Sequence, residues 1–321
     1  MSLTNNPSKV EAKVDVDGWS MTYRAPYRLP SEAEARELQP WSSLKGYGDE
    51  ELFQLFMACP WAYTDETSVR PTSVRRIAAD AVVKMSAYPL DGEVTAQAHV
   101  WEQTSILLPE VYRTGAQGDC YWMVMEHVEG EALSDCWHRL HWARKALVLL
   151  TLRRYIRELR RTRPPRDQSF PGRLGTTPGK CYGSPFIFQP AGPFNSAADM
   201  GPYFDRRLRG VDSDRMWEKP KSERVEGGPK LRRPLDLELP LVLTHLDLHG
   251  KNIMLDRGGR VWVLDWGLAG MYPRCFEFIS MMWMPWMFVR VAEKWIYGFI
   301  AGWYFLEYEL WCVLDLDNLM L

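Results

Sequence analysis

Apolar residues recur at helical spacing in two stretches of the 321-residue chain. Residues 50–57 place Leu52, Phe53 and Phe56 on one side, which predicts a short packing helix. Residues 138–163 carry two apolar seams, so the pattern predicts one long helix that is buried on two sides. The seams are Leu140, Ala143, Leu147 and Leu150, and then Leu149, Leu152, Ile156 and Leu159.

Short apolar runs bounded by turn residues predict strands in the first half of the chain. Residues 73–85 indicate two strands around an Ala-Asp turn. Residues 109–113 and 121–126 predict two more strands, with a turn-like segment at 115–119 between them. The first half of the chain therefore predicts a small antiparallel sheet.

A second group of predicted strands lies near residue 250. Residues 241–244 predict a short buried strand, and residues 253–255 and 260–264 predict a hairpin. Its turn, residues 256–259, contains glycines that accept a positive φ. Rigid strands would hold the polar residues of this region on the loops between them.

Two long stretches in the second half lack a clear strand pattern. Residues 164–240 are rich in Pro and Gly, and the charged part at 211–233 predicts either a substrate lid or a solvated insertion. Residues 271–312 are rich in aromatic residues and Met, but their uncharged runs, 278–289 and 295–306, are too short to span a bilayer. We therefore expect buried helices there, one face of which could line an apolar substrate pocket.

Composition narrows the class of protein. A formal net charge of −2 gives no global attraction to nucleic acid or to a membrane, and 46% hydrophobic residues suffice for a large core. The six cysteines form no CxxC pair, and residues 1–14 lack an apolar run. We therefore expect reduced thiols in a cytoplasmic protein. We also expect a monomer or homodimer. The length allows two lobes.

The polar residues near position 250 have the spacing of a phosphoryl-transfer site. His245, Asp247 and Asn252 form H-x-D-x-x-x-x-N, and Asp265 opens D-x-G. Transfer of a phosphoryl group from ATP to a hydroxyl requires a carboxylate that accepts the hydroxyl proton, and Asp247 suits that role. Asn252 and Asp265 suit Mg²⁺ ligation, whereas His245 is better explained as a scaffold residue that fixes the catalytic loop.

Upstream residues fit the nucleotide side of such a site. Lys84 ends a predicted strand, and Glu93 opens a predicted helix at 93–103, so the two would pair on the α- and β-phosphates of ATP. Glu102, on the same helix, competes with Glu93 for the pairing. Backbone groups at Glu126–Val128, where a strand gives way to a helix, would form a hinge that binds adenine.

The motifs together resemble the aminoglycoside phosphotransferase and choline kinase-like family, especially its fungal branch. The carrying segments, from about residue 73 to 283, are VVKM, EVTAQAHVWEQTSILLPEVYR, YWMVMEHVEGEAL, AGPFNSAADMGPYF, LVLTHLDLHGKNIMLD and VWVLDWGLAGMYPRCFEF. The AGMYP that follows DWG is particularly specific to the fungal branch.

The resemblance implies a bilobal, protein-kinase-like α+β fold. Residues 1–45, rich in Pro, Ser, Glu and Lys without clear periodicity, predict a partly disordered extension. With the resemblance, the rest of the chain divides into an N-lobe with a small antiparallel sheet at 46–128 and a mainly helical C-lobe at 129–321. The resemblance also implies ATP- and Mg²⁺-dependent phosphorylation of a small-molecule hydroxyl. Within that site it assigns Asp247 as catalytic base, Asn252 and Asp265 as metal ligands, and Lys84, supported by Glu93, as the phosphate-binding residue.

The chain departs from the family pattern at three places. Leu246 stands where the family often has Gly, and Gly267 where it often has Glu. The segment before Lys84, TSVRPTSVRRIA, contains no glycine, although glycines normally let a phosphate-covering loop approach closely. Arg75 or Arg76 would then offer guanidinium donors to the phosphates, or both would point to solvent.

Three functions remain open from the sequence. The first is an ATP-dependent kinase acting on a small molecule, which in a fungal setting could be a secondary metabolite. The second is a non-catalytic kinase-like protein, and the third is other chemistry on the same fold in a natural-product pathway. The crowding of Trp283, Trp286, Trp295 and Trp303 predicts an apolar or aromatic acceptor held by the C-terminal region, with plain core packing as the alternative.

Overall fold

A computed structural model describes residues 30–59, 62–63, 72–165, 168–175, 177–205, 240–283 and 290–315. These residues form the predicted α+β architecture, which is confirmed. An antiparallel sheet with its helices forms one part, and a mainly helical unit with two small sheets forms the other.

The first part is a five-stranded antiparallel sheet. Its strands are β1 Ala62–Tyr63, β2 Thr72–Arg76, β3 Ala81–Ser86, β4 Val111–Gln117 and β5 Cys120–Glu126. They lie in the order β1-β2-β3-β5-β4, with the fully buried β3 in the centre. The two strands predicted at 73–85 are therefore confirmed, while β4 runs into the segment that was predicted as a turn.

Three helices accompany this sheet. Helix α1 spans Glu32–Glu37, α2 spans Asp49–Ala58 and α3 spans Asp91–Gln103. Helix α2 buries Leu52 and Phe56 against the sheet, where the Phe56 ring packs edge-on to Trp122. Trp41, within the predicted 1–45 extension, is also buried and stacks on Tyr112 of β4.

The second part is built on helices around two three-stranded sheets. The helices are α4 Leu133–Cys136, α5 Trp142–Leu159, α6 Cys275–Trp283, α7 Arg290–Ala301 and α8 Phe305–Asp315. One sheet joins β6 Gly130–Ala132 to β9 Ile253–Asp256 and β10 Val261–Val263, and the other joins β7 Gly172–Arg173 to β11 Gly270–Tyr272 and β8 Val242–Thr244.

The predicted strands near residue 250 are thus present, and they place the loops between them. Strands β9 and β10 pair as the expected hairpin, with Gly259 at a φ of +73° in its turn. Strand β6 approaches β9 so closely that a Cβ on Gly130 would lie 2.3 Å from the Leu255 carbonyl oxygen. Glycine at 130 therefore lets β6 pack against the hairpin.

Two predictions for the helices are wrong in part. The long helix begins at Trp142 rather than near 138, because a short 3₁₀ turn at Trp137–Arg139 precedes it. Its seam with Leu152, Ile156 and Leu159 is buried, but Leu147 and Leu150 of the other seam are exposed. Burial of the C-terminal aromatic residues is also incomplete, since Trp295 and Trp303 are more than half exposed.

Several predictions fall outside the described residues. They concern most of the N-terminal extension, the charged stretch at 211–233, the segment at 64–71 and Trp286. The boundaries proposed for the extension and the two lobes stay predictions. Among the residues that the structure describes, no helix is both long and apolar enough to cross a membrane.

Candidate active site

A cleft of about 2890 Å³ separates the five-stranded sheet from the helical part. It is lined by Lys84 and Glu93 on one side and by Asp247, Asn252 and Asp265 on the other. All five residues were singled out from the sequence, and the fold gathers them in one cleft. Its volume exceeds the 300–1,000 Å³ of common small-molecule pockets, so it has room for two ligands.

The loop after β8 carries Asp247 and is held from below by Glu277. The buried Glu277 carboxylate, on α6, accepts hydrogen bonds from the backbone N–H groups of His245 (2.7 Å) and Leu246 (3.3 Å). Burial raises the pKa of this carboxyl to about 7, against the opposing effect of those bonds and of Arg160. The carboxylate fixes the two residues that precede Asp247.

Glu277 was not singled out from the sequence. The sequence feature that could have revealed it is a lone carboxylate within the apolar run CFEFISMMW. A buried carboxylate requires hydrogen-bond donors. The sequence does not say that those donors lie 31 and 32 residues away. Leu246, the second of these donors, has a φ of +66°, a conformation that suits glycine.

His245 is buried within the catalytic loop. Its Nε2 lies 2.9 Å from the Leu264 carbonyl oxygen, and its Nδ1 accepts a hydrogen bond from the Asp247 backbone N–H at 3.2 Å. Burial lowers the pKa of the ring to about 4, so the imidazole is neutral at pH 7, and these partners place its proton on Nε2. The Trp266 ring, 4.6 Å away, closes the site from the side.

Asn252 lies directly against Asp247. The Asn252 Nδ2 donates to the Asp247 carbonyl oxygen and to its Oδ2, both at 3.0 Å. These bonds do not use the Asn252 side-chain oxygen, which is the atom that a hard cation would take. His249, which sequence reasoning missed, brings its Nε2 to 3.7 Å from the Asp247 Oδ1.

Lys84 connects the two sides of the cleft. Its Nζ lies 2.9 and 2.8 Å from the two carboxylate oxygens of Glu93 and 2.8 Å from the Asp265 Oδ1. Glu93 is buried on α3, whereas Glu102 is exposed, so the fold selects Glu93 as the partner. The predicted ion pair between β3 and α3 is present in the structure.

The charges of this cluster support one another. Burial would lower the pKa of Lys84, but the Asp265 and Glu93 carboxylates raise it above its ordinary value. The Asp265 side chain is 44% exposed at the cleft; partial desolvation would raise its pKa, but the Lys84 ammonium lowers it to about 2. Burial raises the pKa of Glu93 against the attraction of Lys84; we take the pair as ionised because both Glu93 oxygens contact the ammonium.

Gly267 explains one departure from the family pattern. A Cβ at this position would lie 3.2 Å from both the Asp265 Oδ1 and the Glu93 Oε2. A side chain there would crowd the two carboxylates that share Lys84, and a glutamate would add a third negative charge. Glycine at 267 is therefore compatible with the compact charge cluster in this chain.

The structure reduces the number of hinge N–H groups that are available to adenine. The backbone N–H of Glu126 donates to Glu110 (2.8 Å), and that of His127 donates to Asp80 (2.9 Å). Neither N–H is therefore a donor for adenine, although the prediction included the whole of Glu126–Val128. Val128 lines the cleft, and its N–H is the hinge donor that this prediction retains.

The two expectations for Arg75 are both wrong. Arg75 neither points to solvent nor faces the cleft; its Nη1 donates to the Phe56, Met57 and Cys59 carbonyls at the end of α2. Arg76 lines the cleft but donates through Nη2 to the Ala79 carbonyl at 2.8 Å. Residues 64–71, which connect β1 to β2, lie outside the described residues.

The residues fit a metal ion that arrives with a nucleotide. Within the described part of the chain, no group of three or more His, Cys, Asp and Glu side chains gathers as a metal site of its own. Asn252 and Asp265 offer two oxygen ligands at the cleft. Mg²⁺ commonly takes one or two protein ligands and completes its shell with phosphate oxygens and water.

Comparison with known proteins identifies a family. The chain matches the model of the phosphotransferase enzyme family over residues 74–311, and no curated protein sequence matches it. A thermostable mutant of aminoglycoside phosphotransferase APH(4)-Ia is similar, with 15% identity over 85% of this chain and 94% of that chain and a TM-score of 0.49. A choline/ethanolamine kinase family protein from Mesorhizobium loti has 16% identity over 84% and 86%, with a TM-score of 0.43.

Proposed function

Because the chain belongs to the phosphotransferase enzyme family, we propose that it transfers the γ-phosphoryl group of ATP to a hydroxyl of a small molecule. The AGMYP sequence at 269–273 supports placing the chain in the fungal branch of the family, with a secondary metabolite as acceptor. The observation that carries the proposal is the Lys84 ammonium, which joins Glu93 and Asp265 across the cleft beside Asp247.

Each candidate residue has a role in the proposed reaction. The acceptor oxygen attacks the γ-phosphorus, Asp247 takes the hydroxyl proton, and the bond to the β,γ-bridging oxygen breaks to release ADP. Lys84, oriented by Glu93, holds the α- and β-phosphates, and Val128 contributes its N–H to adenine. His245 keeps the loop in place through Leu264 and the Asp247 backbone.

Asn252 and Asp265 would hold Mg²⁺. The ion would supply positive charge that neutralises the phosphates of the nucleotide. Asn252 has a second task, because its Nδ2 donates to the Asp247 carboxylate and so fixes the orientation of the proposed base. Asp265 keeps its negative charge at neutral pH, since Lys84 lowers the pKa of its carboxyl.

The proposal is tested with Asp247→Asn, which keeps the shape of the side chain but cannot accept a proton. We expect ATP binding to remain close to wild type and ATP turnover, measured as ADP release with Mg²⁺, to fall about 10²–10⁴-fold. The matched control is Asp119→Asn in the exposed turn between β4 and β5, which should leave turnover unchanged.

Two results would overturn the proposal. One is turnover in Asp247→Asn that equals that of wild type. The other is the absence of measurable ATP binding to the unmodified protein by calorimetry, even with millimolar Mg²⁺. The second result would return the choice to a non-catalytic protein or to other chemistry on this fold.

A further inference from the structure

Three aromatic side chains line the cleft on the side of the catalytic loop. They are Tyr182, Phe188 and Trp283, here called the aromatic wall, and they share the cleft with Asp247. The ring centroids of Tyr182 and Phe188 are 6.0 Å apart, and those of Phe188 and Trp283 are 5.8 Å apart. The rings form a continuous apolar row rather than three separate contacts.

The segment that carries the wall touches the catalytic loop directly. A Cβ on Gly183 would lie 3.0 Å from the Leu246 Cδ2 and 3.7 Å from the Leu268 Cδ1. Gly183 follows Tyr182 in the chain, and Leu246 precedes the proposed base. The wall and Asp247 therefore stand next to each other in the fold.

The backbone of the wall is strained. Ile187 and Phe188 have φ values of +54° and +52°, in the left-handed region, where a β-branched residue is an outlier. Such conformations are unfavourable and persist only where the surrounding structure imposes them. Here the Ile187 N–H donates to Ser184 (2.9 Å) and the Phe188 N–H donates to Gly183 (3.1 Å).

Buried aromatic residues anchor the strained turn from beneath. Phe186 is 1% exposed and packs on Phe204 and Phe276 at centroid distances of 5.8 and 5.6 Å. The Trp311 Nε1 donates to the Pro185 carbonyl at 3.1 Å, and its ring packs edge-on to Trp283 at 5.1 Å. Buried contacts thus hold the wall from the side opposite the cleft.

Core packing does not account for Phe188. Its side chain is 38% exposed, although Phe186, two residues earlier, is buried. The strained turn between them places one ring in the core and presents the other to the cleft. A strained backbone that holds a large apolar ring at the surface of a cleft is typical of a ligand-binding position.

The charge near the wall selects among possible ligands. The segment that carries Tyr182 and Phe188, residues 179–190, contains no Asp or Glu, and it contributes Lys180 to the cleft lining. The carboxylates that line the cleft lie on other segments, so this segment offers rings and an ammonium rather than carboxylates to a polycationic aminoglycoside. A quaternary ammonium ligand would require rings that surround it, whereas these rings lie in a row and contact one another.

We propose that the aromatic wall binds the acceptor and that the acceptor is a planar aromatic alcohol, either neutral or carrying an acid group. This proposal rests on the proposed function, since it identifies the hydroxyl compound that Asp247 would deprotonate. The acceptor ring would stack on Phe188 between Tyr182 and Trp283, with Lys180 available to an acidic substituent.

The test uses 2-(2-naphthyl)ethanol as probe and the full chain without nucleotide. We expect calorimetry to show binding to wild type and about tenfold weaker binding to Phe188→Asn, the scale for loss of a favourable ring contact. Asn tolerates a positive φ, so this variant removes the ring without adding backbone strain. Phe188→Tyr should bind the probe as wild type does.

A control separates the wall from aromatic surface in general. Trp303→Leu removes an exposed ring that does not line the cleft, and it should leave probe binding unchanged. Thermal melting of each variant establishes that it is folded. Phe188→Tyr keeps the ring at this position, so it shows that an aromatic ring there suffices for probe binding.

Two results would overturn the inference: probe affinity that is the same in Phe188→Asn and wild type, or choline or kanamycin binding more tightly than the probe. Calorimetry with ADP and Mg²⁺ is run separately. A wild-type protein that binds the probe but not the nucleotide would contradict the proposed function and leave the wall as a binding site. Nucleotide binding without probe binding would contradict the wall alone.

Discussion

Leu246 combines two opposing demands at a single residue. Its φ of +66° favours glycine, while its side chain is 1% exposed and packs against Gly183. Truncation of a buried leucine costs about 2–5 kcal/mol, and a side chain in the left-handed conformation costs about 1–2 kcal/mol. The buried side chain therefore stabilises the loop by more than the backbone strain destabilises it.

This balance predicts an inverted order of stability. Leu246→Ala and Leu246→Gly should both lower the free energy of unfolding, but the glycine variant should be the more stable by about 1 kcal/mol, because it relieves the strain. The control is Leu248, which is buried and is not among the residues with positive φ. There Leu248→Ala should be the more stable variant, and chemical denaturation of the four proteins decides.

Glu277 makes stability depend on pH. Its pKa is raised from an ordinary 4.5 to about 7 on folding, so the folded state holds the proton more tightly than the unfolded state does. Its contribution to stability is present below pH 4.5 and is lost as pH rises through 7, by up to about 3 kcal/mol.

Glu277→Gln removes this titration. The free energy of unfolding of wild type minus that of the variant should therefore fall between pH 4.5 and 7 and level off above. Denaturation curves across that range measure it, and a difference that is constant with pH would contradict the prediction. ATP turnover should fall in the variant as well, since one of the two backbone N–H groups of the catalytic loop loses its acceptor.

At the scale of elements, β3 and α3 are joined by a buried ion pair. Glu93→Gln leaves the Lys84 ammonium with Asp265 as its charged partner, so we expect a loss smaller than the roughly 3–5 kcal/mol that follows when a buried charge keeps no partner. We expect this variant to be less stable and to bind ATP more weakly. Glu102→Gln, on the same helix but exposed, is the control and should match wild type in both measurements.

The result distinguishes two ways in which the helix could act. If both variants behave alike, α3 does not position Lys84 through Glu93, and the role of that glutamate is refuted. If only Glu93→Gln loses ATP affinity, the ion pair between Lys84 and Glu93, which the sequence predicted, contributes to ATP binding.

The elements near the cleft were largely predictable from the sequence. The hairpin of β9 and β10 and the strand β8 follow from short apolar runs, and the turn at Gly259 follows from its glycines. These signals are local, because each depends on residues only a few positions apart. The placement of Asp247, Asn252 and Asp265 on adjoining loops follows directly from them.

Features that depend on distant neighbours were not predictable. Helical spacing groups Leu147 and Leu150 into an apolar seam, but it does not show that they stay exposed. Arg75 caps the carbonyls of a helix 16 to 19 residues earlier, and Glu277 binds N–H groups 31 and 32 residues earlier. Neither partner is encoded in the residues that flank the side chain.

At the scale of the whole molecule, the cleft is lined by both parts of the fold. A ligand that contacts both parts stabilises the folded chain by RT ln(1 + [L]/Kd), about 2.7 kcal/mol at a concentration 100 times Kd. We therefore expect ADP to raise the melting temperature, and Mg²⁺ to increase that shift.

Asp265→Ala should abolish the part of the shift that depends on Mg²⁺, while Asp119→Asn should retain it. Thermal unfolding with ADP, in the presence of Mg²⁺ or of a chelator, provides the measurement. A shift in Asp265→Ala with the same Mg²⁺ dependence as wild type would refute Asp265 as a metal ligand.

Because Lys84 already has two carboxylate partners, Glu93 and Asp265, its positive charge is fully compensated without a phosphate. A phosphate that draws the ammonium to itself deprives Asp265 of its counter-ion, so this exchange of one anion for another gains little free energy. Phosphate binding becomes favourable when a divalent cation reaches Asp265 together with the phosphate and replaces the lost counter-ion. In the proposed reaction, nucleotide and metal are therefore cooperative ligands, each raising the affinity for the other by the same factor. Free phosphate, which brings no metal of its own, is a poor competitor for such a site.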